Sequence, residues 1–339
     1  MVGPPLSVLH RRALEGSDRI GRIAVYILKR LISTVLLVLG TMLVTFALMR
    51  GMGGTPFSTS LEPHSGVPLP VELRLREFYK LDEPWFVEYL NYVRHVFTFQ
   101  FGPSLVPPTS AFGTQRESVD AVMRENFPVT LQLAGLASIF AVVLGIPLGL
   151  AAALKRRSMV DYLASSLATG LLVVPIFLFT TLFARYLVYG TDLFPLGWDD
   201  WRTRLLAAFT LSLAPIGYVA RLIRAAMVET LQEDYVRAAR AKGLRVKRVV
   251  FGHVLRNSLT PFLAAAAPTM ALLVTGAFFV EQAFGIPGAA QNLVDAAERR
   301  DYPMLMGLTV AVVIVVAVVN LAADIVAALL DPRIREEVT

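Results

Sequence analysis

The segment YPMLMGLTVAVVIVVAVVNLAA, residues Tyr302–Ala323, decides the fold class of this 339-residue chain. It contains no Asp, Glu, Lys or Arg, and as a helix it would span about 33 Å, enough to cross the hydrocarbon core of a bilayer. The mean hydropathy of the whole chain is +0.59 and only 17% of its residues are charged, whereas soluble domains carry about 25%. We therefore predict an all-α membrane protein.

Five further uncharged runs predict five more spans, at Leu31–Met49, Phe127–Leu154, Tyr162–Ala184, Leu205–Ala220 and Leu259–Val280. The fourth of the six spans, Leu205–Ala220, is short, and we expect Arg204 and Arg221 at its ends to reach the interfaces. Several spans contain proline, including Pro147, Pro175 and Pro215. Such prolines fit either a bundle that bends around a pathway or ordinary helix kinks.

The distribution of charge predicts the orientation of the spans, because Lys and Arg are retained on the cytoplasmic side. The N-terminal tail and alternate loops hold 20 of the 32 Lys and Arg residues, and that side carries a net charge of +10 against −4 on the other. Both termini are therefore expected in the cytoplasm. Topology and anionic lipid headgroups account for the basic charge, so no nucleic acid partner is expected.

These spans divide the chain into a cytoplasmic tail (1–22), a first helix (23–49), an outer loop (50–126), a core of five helices (127–323) and a cytoplasmic tail (324–339). The first tail is expected to be a polar leader. The outer loop is too long for an ordinary connection, and helical spacing of Tyr89, Val93, Val96 and Phe97 predicts that part of it is structured. It would act as a cap on the outer face or as a dock for a delivery protein.

A basic segment, EDYVRAARAKGLRVKRVVFGHVLRN at Glu233–Asn257, lies in the cytoplasmic loop 221–258. Residues Thr230–Lys242 are predicted to be helical, with one face formed by Leu231, Tyr235, Ala238 and Lys242. Gly243 is expected to end this helix in a left-handed conformation, and a second helix would begin near Arg245, with Val246, Val249, Val250 and Val254 on its apolar side. The pair would dock on a partner or lie on lipid headgroups.

The sequence YVRAARAKGLRVKRVVFGHVLRNSLTP resembles the cytoplasmic signature loop of permease subunits of binding-protein-dependent ABC importers, in particular the dipeptide and oligopeptide group. Ala238, Ala239 and Gly243 match the general pattern, whereas Arg237 replaces its Glu and Arg256 its Pro, as in the peptide group's own variant. Three further segments are similar to that group: KLDEPWFVEYLNYVRHVFTFQFGPSL, EQAFGIPG, and RRDYP followed by NLAADIVAALLDPRIR. Four similar segments in the same order make the resemblance specific.

The resemblance implies a B-type subunit with the six-helix type I importer permease fold, located in a bacterial or archaeal cytoplasmic membrane. Its implied partners are a second homologous permease, normally a distinct chain, two ATPase subunits, an external solute-binding protein and a peptide substrate. The segment from Ala238 to Val250, where the two predicted helices meet, would be the coupling helix region that contacts the ATPase. The residues assigned to this loop are Asp234, Tyr235, Arg237, Ala238, Ala239, Lys242, Gly243, Arg256 and Asn257. An outer gate or a contact with the binding protein is implied for Glu281, Phe284, Pro287 and Gly288, although a tight turn explains them equally well.

No catalytic residue, cofactor or metal site is expected in this chain. It has no cysteine and no phosphate-binding GxxxxGK[ST] sequence, so ATP and magnesium would be bound by the partner ATPases. The alternatives are an ion-coupled carrier or channel and a membrane-embedded enzyme. No span contains a charged residue of the kind that ion-coupled carriers use, and none has the paired groups that catalysis needs. The substrate is left open among peptides, nickel chelates, glutathione and oligosaccharides.

Overall fold

The computed structural model describes residues 6–51, 69–104, 118–242, 244, 249–255, 262, 266, 268–298 and 301–330. Within them the chain is helical and contains one isolated antiparallel bridge, between Pro103 and Ser118. The helices are α1 (Leu6–Gly51), α2 (Leu69–Tyr79), α3 (Trp85–Phe97), α4 (Val119–Glu125), α5 (Phe127–Leu154), α6 (Met159–Val173), α7 (Ile176–Phe183), α8 (Trp201–Thr230), α9 (Asp234–Ala241), α10 (Leu273–Phe284), α11 (Ala289–Glu298) and α12 (Tyr302–Leu330). Two π-helical turns lie at Ala184–Val188 and Val250–Val254.

Six spans are compatible with these helices. Four continuous helical segments of the described chain are long and apolar enough to cross a membrane, at Leu28–Leu48, Val119–Leu154, Trp201–Thr230 and Pro303–Ala322. Two further candidates are bent pairs, Met159–Val173 with Ile176–Val188 and Pro268–Phe284 with Ala289–Ala297, which turn by 90° and 91°. The prediction of an all-α membrane fold is confirmed, and the count reaches six if each bent pair is one span.

The three prolines of the sequence analysis behave differently. Pro147 lies inside α5 and Pro215 inside α8, and both helices continue through them. Pro175 instead follows an extended residue, Val174, and begins α7 after the sharp bend. The residue before a proline is disfavoured in the helical region, and α6 ends at this point, whereas α5 and α8 continue through their prolines.

The short fourth span is part of a longer helix. Helix α8 has 30 residues and continues beyond the uncharged run Leu205–Ala220 at both ends. At its start, the Arg204 guanidinium lies 5.4 Å from the Trp198 ring and its Nε donates to the Trp198 carbonyl. The chain thus gains length by extending the helix into charged residues, one of which is held against an aromatic ring.

Helices α5 and α8 cross at very short distance because α5 carries glycine at two positions one turn apart. A Cβ built on Gly145 would lie 2.6 Å from the Val219 side chain, and one built on Gly149 would lie 3.1 Å from the Ala220 Cα and closer still to its carbonyl oxygen. On the other side of α8, a Cβ on Gly217 would overlap the Ala168 carbonyl of α6. Helices α5, α6 and α8 are therefore packed backbone to backbone.

The outer loop is structured where it is described. Helix α3 packs on α1 and α12 through a core that includes Phe46 and Val96, and the Tyr92 hydroxyl donates to the Met306 carbonyl at 3.3 Å. These contacts support the predicted cap. Phe97 was expected on the packed face but is exposed.

A buried carboxylate fixes the C-terminal end of the first span. Glu88 of α3 has no exposed surface, and its Oε2 accepts a hydrogen bond from Arg50 Nη1 at 2.8 Å, while its Oε1 has no partner. Burial raises the pKa of Glu88 to about 7, even though the Arg50 guanidinium acts in the opposite direction.

The described part of the N-terminal tail, residues 6–22, is helical. Helix α1 has 46 residues and begins at Leu6, so it runs without interruption through the segment that was expected to be a polar leader. Only Leu28–Leu48 of this helix has the composition of a span. The boundary that the charge pattern sets at residue 22 is therefore a change of composition rather than a helix end.

Candidate functional site

The candidate coupling site is the short helix α9, which follows α8 at the end that the charge pattern places in the cytoplasm. A three-residue turn separates the two helices, because α8 ends at Thr230 and α9 begins at Asp234. Backbone N–H groups of Val236 and Arg237 donate to the Glu233 carbonyl at 3.1 and 3.3 Å and start the new helix. The prediction of one helix over Thr230–Lys242 is therefore wrong at its beginning.

One fully buried side chain anchors α9. Val236 packs in a core with Ile223 and Met227 of α8, and with Val249 and Val250 from the segment that follows. Val254 belongs to the same core. The predicted apolar side of the second half is confirmed at Val249, Val250 and Val254, whereas Val246 lies outside the described residues. Because α8 and the π-helical turn share this core with α9, a force on α9 reaches both.

The rest of α9 presents small and polar side chains to solvent. Tyr235, Ala238 and Lys242, which were predicted on one face, are all exposed. Asp234 and Arg237 are also exposed and form an ion pair at 3.5 Å, and Ala239 is half-buried. At the helix end the Leu244 N–H donates to the Ala239 carbonyl at 3.3 Å. The predicted left-handed Gly243 and the sites assigned to Arg256 and Asn257 lie outside the described residues.

Sequence reasoning missed a buried ion pair beside this site. Asp161, near the start of α6, binds Arg224 of α8 through two bonds, Nε to Oδ1 at 2.6 Å and Nη2 to Oδ2 at 2.9 Å. Asp161 also accepts from the Arg157 N–H at 2.9 Å and from Ser165 Oγ at 3.2 Å. No local pattern reveals a pair 63 residues apart, and the only signal was an acid at the end of an otherwise basic loop.

The turn after α10 is organised by a third buried carboxylate, Glu281. Glu281 has no exposed surface and accepts from Thr130 Oγ1 of α5 at 2.6 Å and from the Gln291 N–H at 3.0 Å. Thr130 Oγ1 in turn accepts from the Ala289 N–H at 2.8 Å. Glu281 and Thr130 therefore cap the first turn of α11, where free N–H groups favour a negative charge.

The other residues of the predicted outer gate have different environments. Phe284 is fully buried, Pro287 is exposed, and Gly288 packs so closely on Glu281 that a Cβ would overlap its carboxyl group. Gly285 ends α10 in the left-handed conformation, with a φ of 66°. This geometry is that of a tight turn with Gly285 and Pro287 exposed, and a gate or binding-protein contact at these positions stays a prediction.

A cavity of about 120 Å³ adjoins this turn. Its wall is almost entirely apolar and includes Phe278, Leu293 and Val312, together with Thr130 and Thr275.

In the part of the chain that the structure describes, no three His, Cys, Asp or Glu side chains are grouped so that they could hold a metal ion.

Comparison with known proteins assigns the family. A family model described as "binding-protein-dependent transport system inner membrane component" matches residues 145–336. The dipeptide transport system permease protein DppB of Bacillus subtilis (strain 168) is 34% identical over 311 residues, which cover 91% of this chain and 97% of that protein. The chain belongs to this family of transport-system inner membrane components.

Other relatives of this permease are similar in length. DppB of Lactococcus lactis subsp. cremoris (strain MG1363) is 36% identical over 311 residues, 91% of this chain and 99% of that protein. The oligopeptide transport system permease protein OppB of Haemophilus influenzae (strain ATCC 51907 / DSM 11121 / KW20 / Rd) is 32% identical over 313 residues, 91% of this chain and 99% of that protein. These relatives confirm the resemblance to the dipeptide and oligopeptide group.

A solved structure supports the fold independently. The inward-facing MetNI methionine ABC transporter contains a chain that superimposes with a TM-score of 0.52 at 20% identity, over 64% of this chain and 96% of that chain. At this identity the match shows the fold and nothing more. It confirms the predicted ABC importer permease fold.

Proposed function

We propose that this permease forms part of the pathway by which an ATP-driven importer moves peptides across a bacterial or archaeal cytoplasmic membrane. The relatives that match almost the whole chain are named as dipeptide and oligopeptide permeases, and this supports a peptide substrate. Its partners would be a second permease, two ATPase subunits and an external solute-binding protein. Both termini would lie in the cytoplasm.

The observation that carries the proposal is the division of α9 into an anchored side and a solvent-exposed side. Val236 is buried in a core with α8, while Tyr235, Ala238 and Lys242 are exposed beside it. Small exposed side chains allow the backbone of α9 to approach a partner closely, and the basic rim can pair with acidic groups. We propose that the ATPase binds this surface and that its closure on ATP moves α8 and the segment that follows α9.

Site-directed crosslinking tests the contact. The chain has no cysteine, so single-cysteine variants need no altered background. Ala238→Cys, on the exposed face, should crosslink to the ATPase subunit in membranes that contain the whole transporter. Val236→Cys is a matched control on the same helix, because its side chain is buried and should not react. Equal crosslinking from both positions, or none from Ala238→Cys, would reject the proposed surface.

Transport in reconstituted vesicles tests the function itself. Vesicles with the two permeases, the ATPases and the solute-binding protein should accumulate a labelled dipeptide or oligopeptide only when ATP is supplied on the ATPase side. If this chain alone moves the peptide with an ion gradient and no ATP, the carrier alternative replaces the proposal. Transport of a nickel chelate, glutathione or an oligosaccharide in place of peptides would keep the ATP-driven mechanism and change the substrate.

Two finer assignments rest on the family resemblance. Gly243 would allow the end of α9 to lie against the ATPase. Gly243→Val should leave the protein inserted in the membrane but uncouple transport from ATP hydrolysis. Full peptide-stimulated turnover in that variant would contradict this role. The turn that holds Glu281, Phe284, Pro287 and Gly288 would contact the solute-binding protein or gate the outer opening. Gln282 is exposed there, so a crosslink from Gln282→Cys to the binding protein tests that contact.

A further inference from the structure

We infer that Asp161 and Arg224 are positioning residues for coupling: their ion pair makes α5, α6 and α8 one rigid unit that α9 moves. The inference rests on the proposed contact between α9 and the ATPase. It specifies that α5, α6 and α8 move together with α9, and that Asp161 and Arg224 transmit this movement.

The pair lies where a coupling force must pass. Arg224 is six residues before the end of α8 at Thr230, a distance of about 9 Å along the helix. Asp161 lies in the first turn of α6. Along α8, Arg224 therefore lies between α9 and the uncharged run Leu205–Ala220.

The geometry of the pair is that of a clamp rather than a surface contact. Both carboxylate oxygens bind the guanidinium fork, and the Asp161 side chain is only 6% exposed. Such two-point pairs fix orientation as well as distance, which a single lysine charge does not do.

Asp161 extends the clamp to the turn between α5 and α6. Its Oδ2 accepts from the Arg157 N–H, and Arg157 has a left-handed backbone with a φ of 62°. This conformation is unfavourable for a residue with a side chain, so the hydrogen bond helps to hold the turn in place. One carboxylate thereby joins the end of α5, the start of α6 and the end of α8.

The close helix crossings complete the unit. Deeper in the bundle Gly149 lies against Ala220 and Gly217 against Ala168, with no space for an added Cβ at either contact. Backbone contacts of this kind oppose sliding between α5, α6 and α8. The clamp opposes splaying at their common end.

Distance measurements on the complete transporter test the rigid unit without disturbing the clamp. Spin labels at Met159→Cys and Glu229→Cys report on the exposed ends of α6 and α8, and the chain has no native cysteine. The inference requires the same distance distribution in the nucleotide-free and ATP-bound states. A change of distance between these states would overturn it.

Charge removal tests the role in coupling. Arg224→Gln should reduce the peptide moved per ATP hydrolysed on the order of tenfold while basal ATP hydrolysis continues, because coupling between sites is commonly worth a factor of 5 to 150. Arg224→Lys should restore only part of the peptide moved per ATP hydrolysed, because a lysine cannot form the two-point contact. Arg221→Gln removes the same charge from the same end of α8, at an exposed position, and should have no effect.

The outcomes separate the two proposals. If the unmodified transporter shows no ATP-dependent uptake or no Ala238→Cys crosslink, the proposed function fails. If it shows both and Arg224→Gln keeps a normal ratio of transport to hydrolysis, only the role of the clamp fails. Should Arg224→Gln not assemble, the spin-label distances in the background with the clamp intact decide the question.

Discussion

Substituting Gly149 by alanine tests the packing on which the α5, α6 and α8 unit depends. A Cβ at this position would lie 3.1 Å from both the Cα and the carbonyl carbon of Ala220, and closer still to the carbonyl oxygen. These atoms belong to the backbone of α8 and cannot rotate away. To restore ordinary contact the two helices must separate locally by about 1 Å, which forfeits a quarter to a half of the dispersion energy of the contacts concerned.

The net effect is a difference between two opposing quantities. Alanine in place of glycine inside a helix is favourable by about 0.5–1 kcal/mol. Overpacking costs about 1–3 kcal/mol. Gly135 lies on the same helix with no atom near its added Cβ. Gly135→Ala should therefore gain helix stability without the overpacking cost. Relative to Gly135→Ala, Gly149→Ala should lower the apparent Tm by about 2–6 °C.

Thermal aggregation of the detergent-solubilised transporter, followed by fluorescence-detected size exclusion, measures this difference. Second-site variants locate its cause. Ala220→Gly should not rescue Gly149→Ala, because the obstructing atoms are backbone, whereas Val219→Ala should partly rescue Gly145→Ala, whose nearest neighbours are side-chain atoms. If Gly149→Ala and Gly135→Ala have the same Tm, the close crossing is not a constraint and the reasoning is refuted.

Three further predictions concern the buried groups and the anchor. Because burial raises the folded-state pKa of Glu88 from 4.5 to about 7, stabilisation from its buried, protonated form is complete below about pH 4.5 and is lost as the pH rises through 7. The Tm of the transporter should therefore fall over this interval in the wild type but not in Glu88→Gln, and exposed Glu77→Gln is the control. Gly288→Ala should lower the Tm because its Cβ would overlap the Glu281 carboxyl, whereas Gly40→Ala, with open space around it, should not. Val236→Ala removes about 1.6 kcal/mol of apolar burial from the α9 anchor and should reduce peptide-stimulated ATPase activity more than Ala238→Ser does, as measured by phosphate release.

The sequence predicted the structure best where hydrophobicity alone decides it, as in the membrane spans. The uncharged run Phe127–Leu154 coincides with α5, because a span of this length cannot tolerate charge or leave its backbone groups unpaired. Of the face predicted from helical periodicity, Tyr235, Ala238 and Lys242 are exposed together, whereas Leu231 precedes α9 and is partly buried against the core. Val236 was missed as the anchor because the predicted face began at Leu231, and the break between α8 and α9 shifts the phase of the helix.

Features that depend on distant residues could not be predicted. Pro147, Pro175 and Pro215 all lie in uncharged runs, yet of these three only Pro175 accompanies a 90° bend, so the presence of a proline does not by itself predict the bend. The partners Asp161 and Arg224 are 63 residues apart, and Thr130 and Glu281 are 151 apart. Each of these residues lies within four residues of an end of an uncharged run, where a charged or polar side chain is common and carries no information about its partner.

The buried carboxylates bear on how the bundle works. Among the described residues four are buried, Glu88, Asp161, Glu281 and Asp301, and each joins two different segments of the chain. An ion-coupled carrier needs a carboxylate that exchanges its partner during the cycle. Asp161 instead accepts hydrogen bonds from four donor groups, and Glu281 accepts them from a hydroxyl group and from the first turn of α11. Both carboxylates therefore hold segments of the chain together. Under the proposed function, the energy for a rearrangement of the bundle would enter from outside the spans through α9, which has an anchored side and an exposed side.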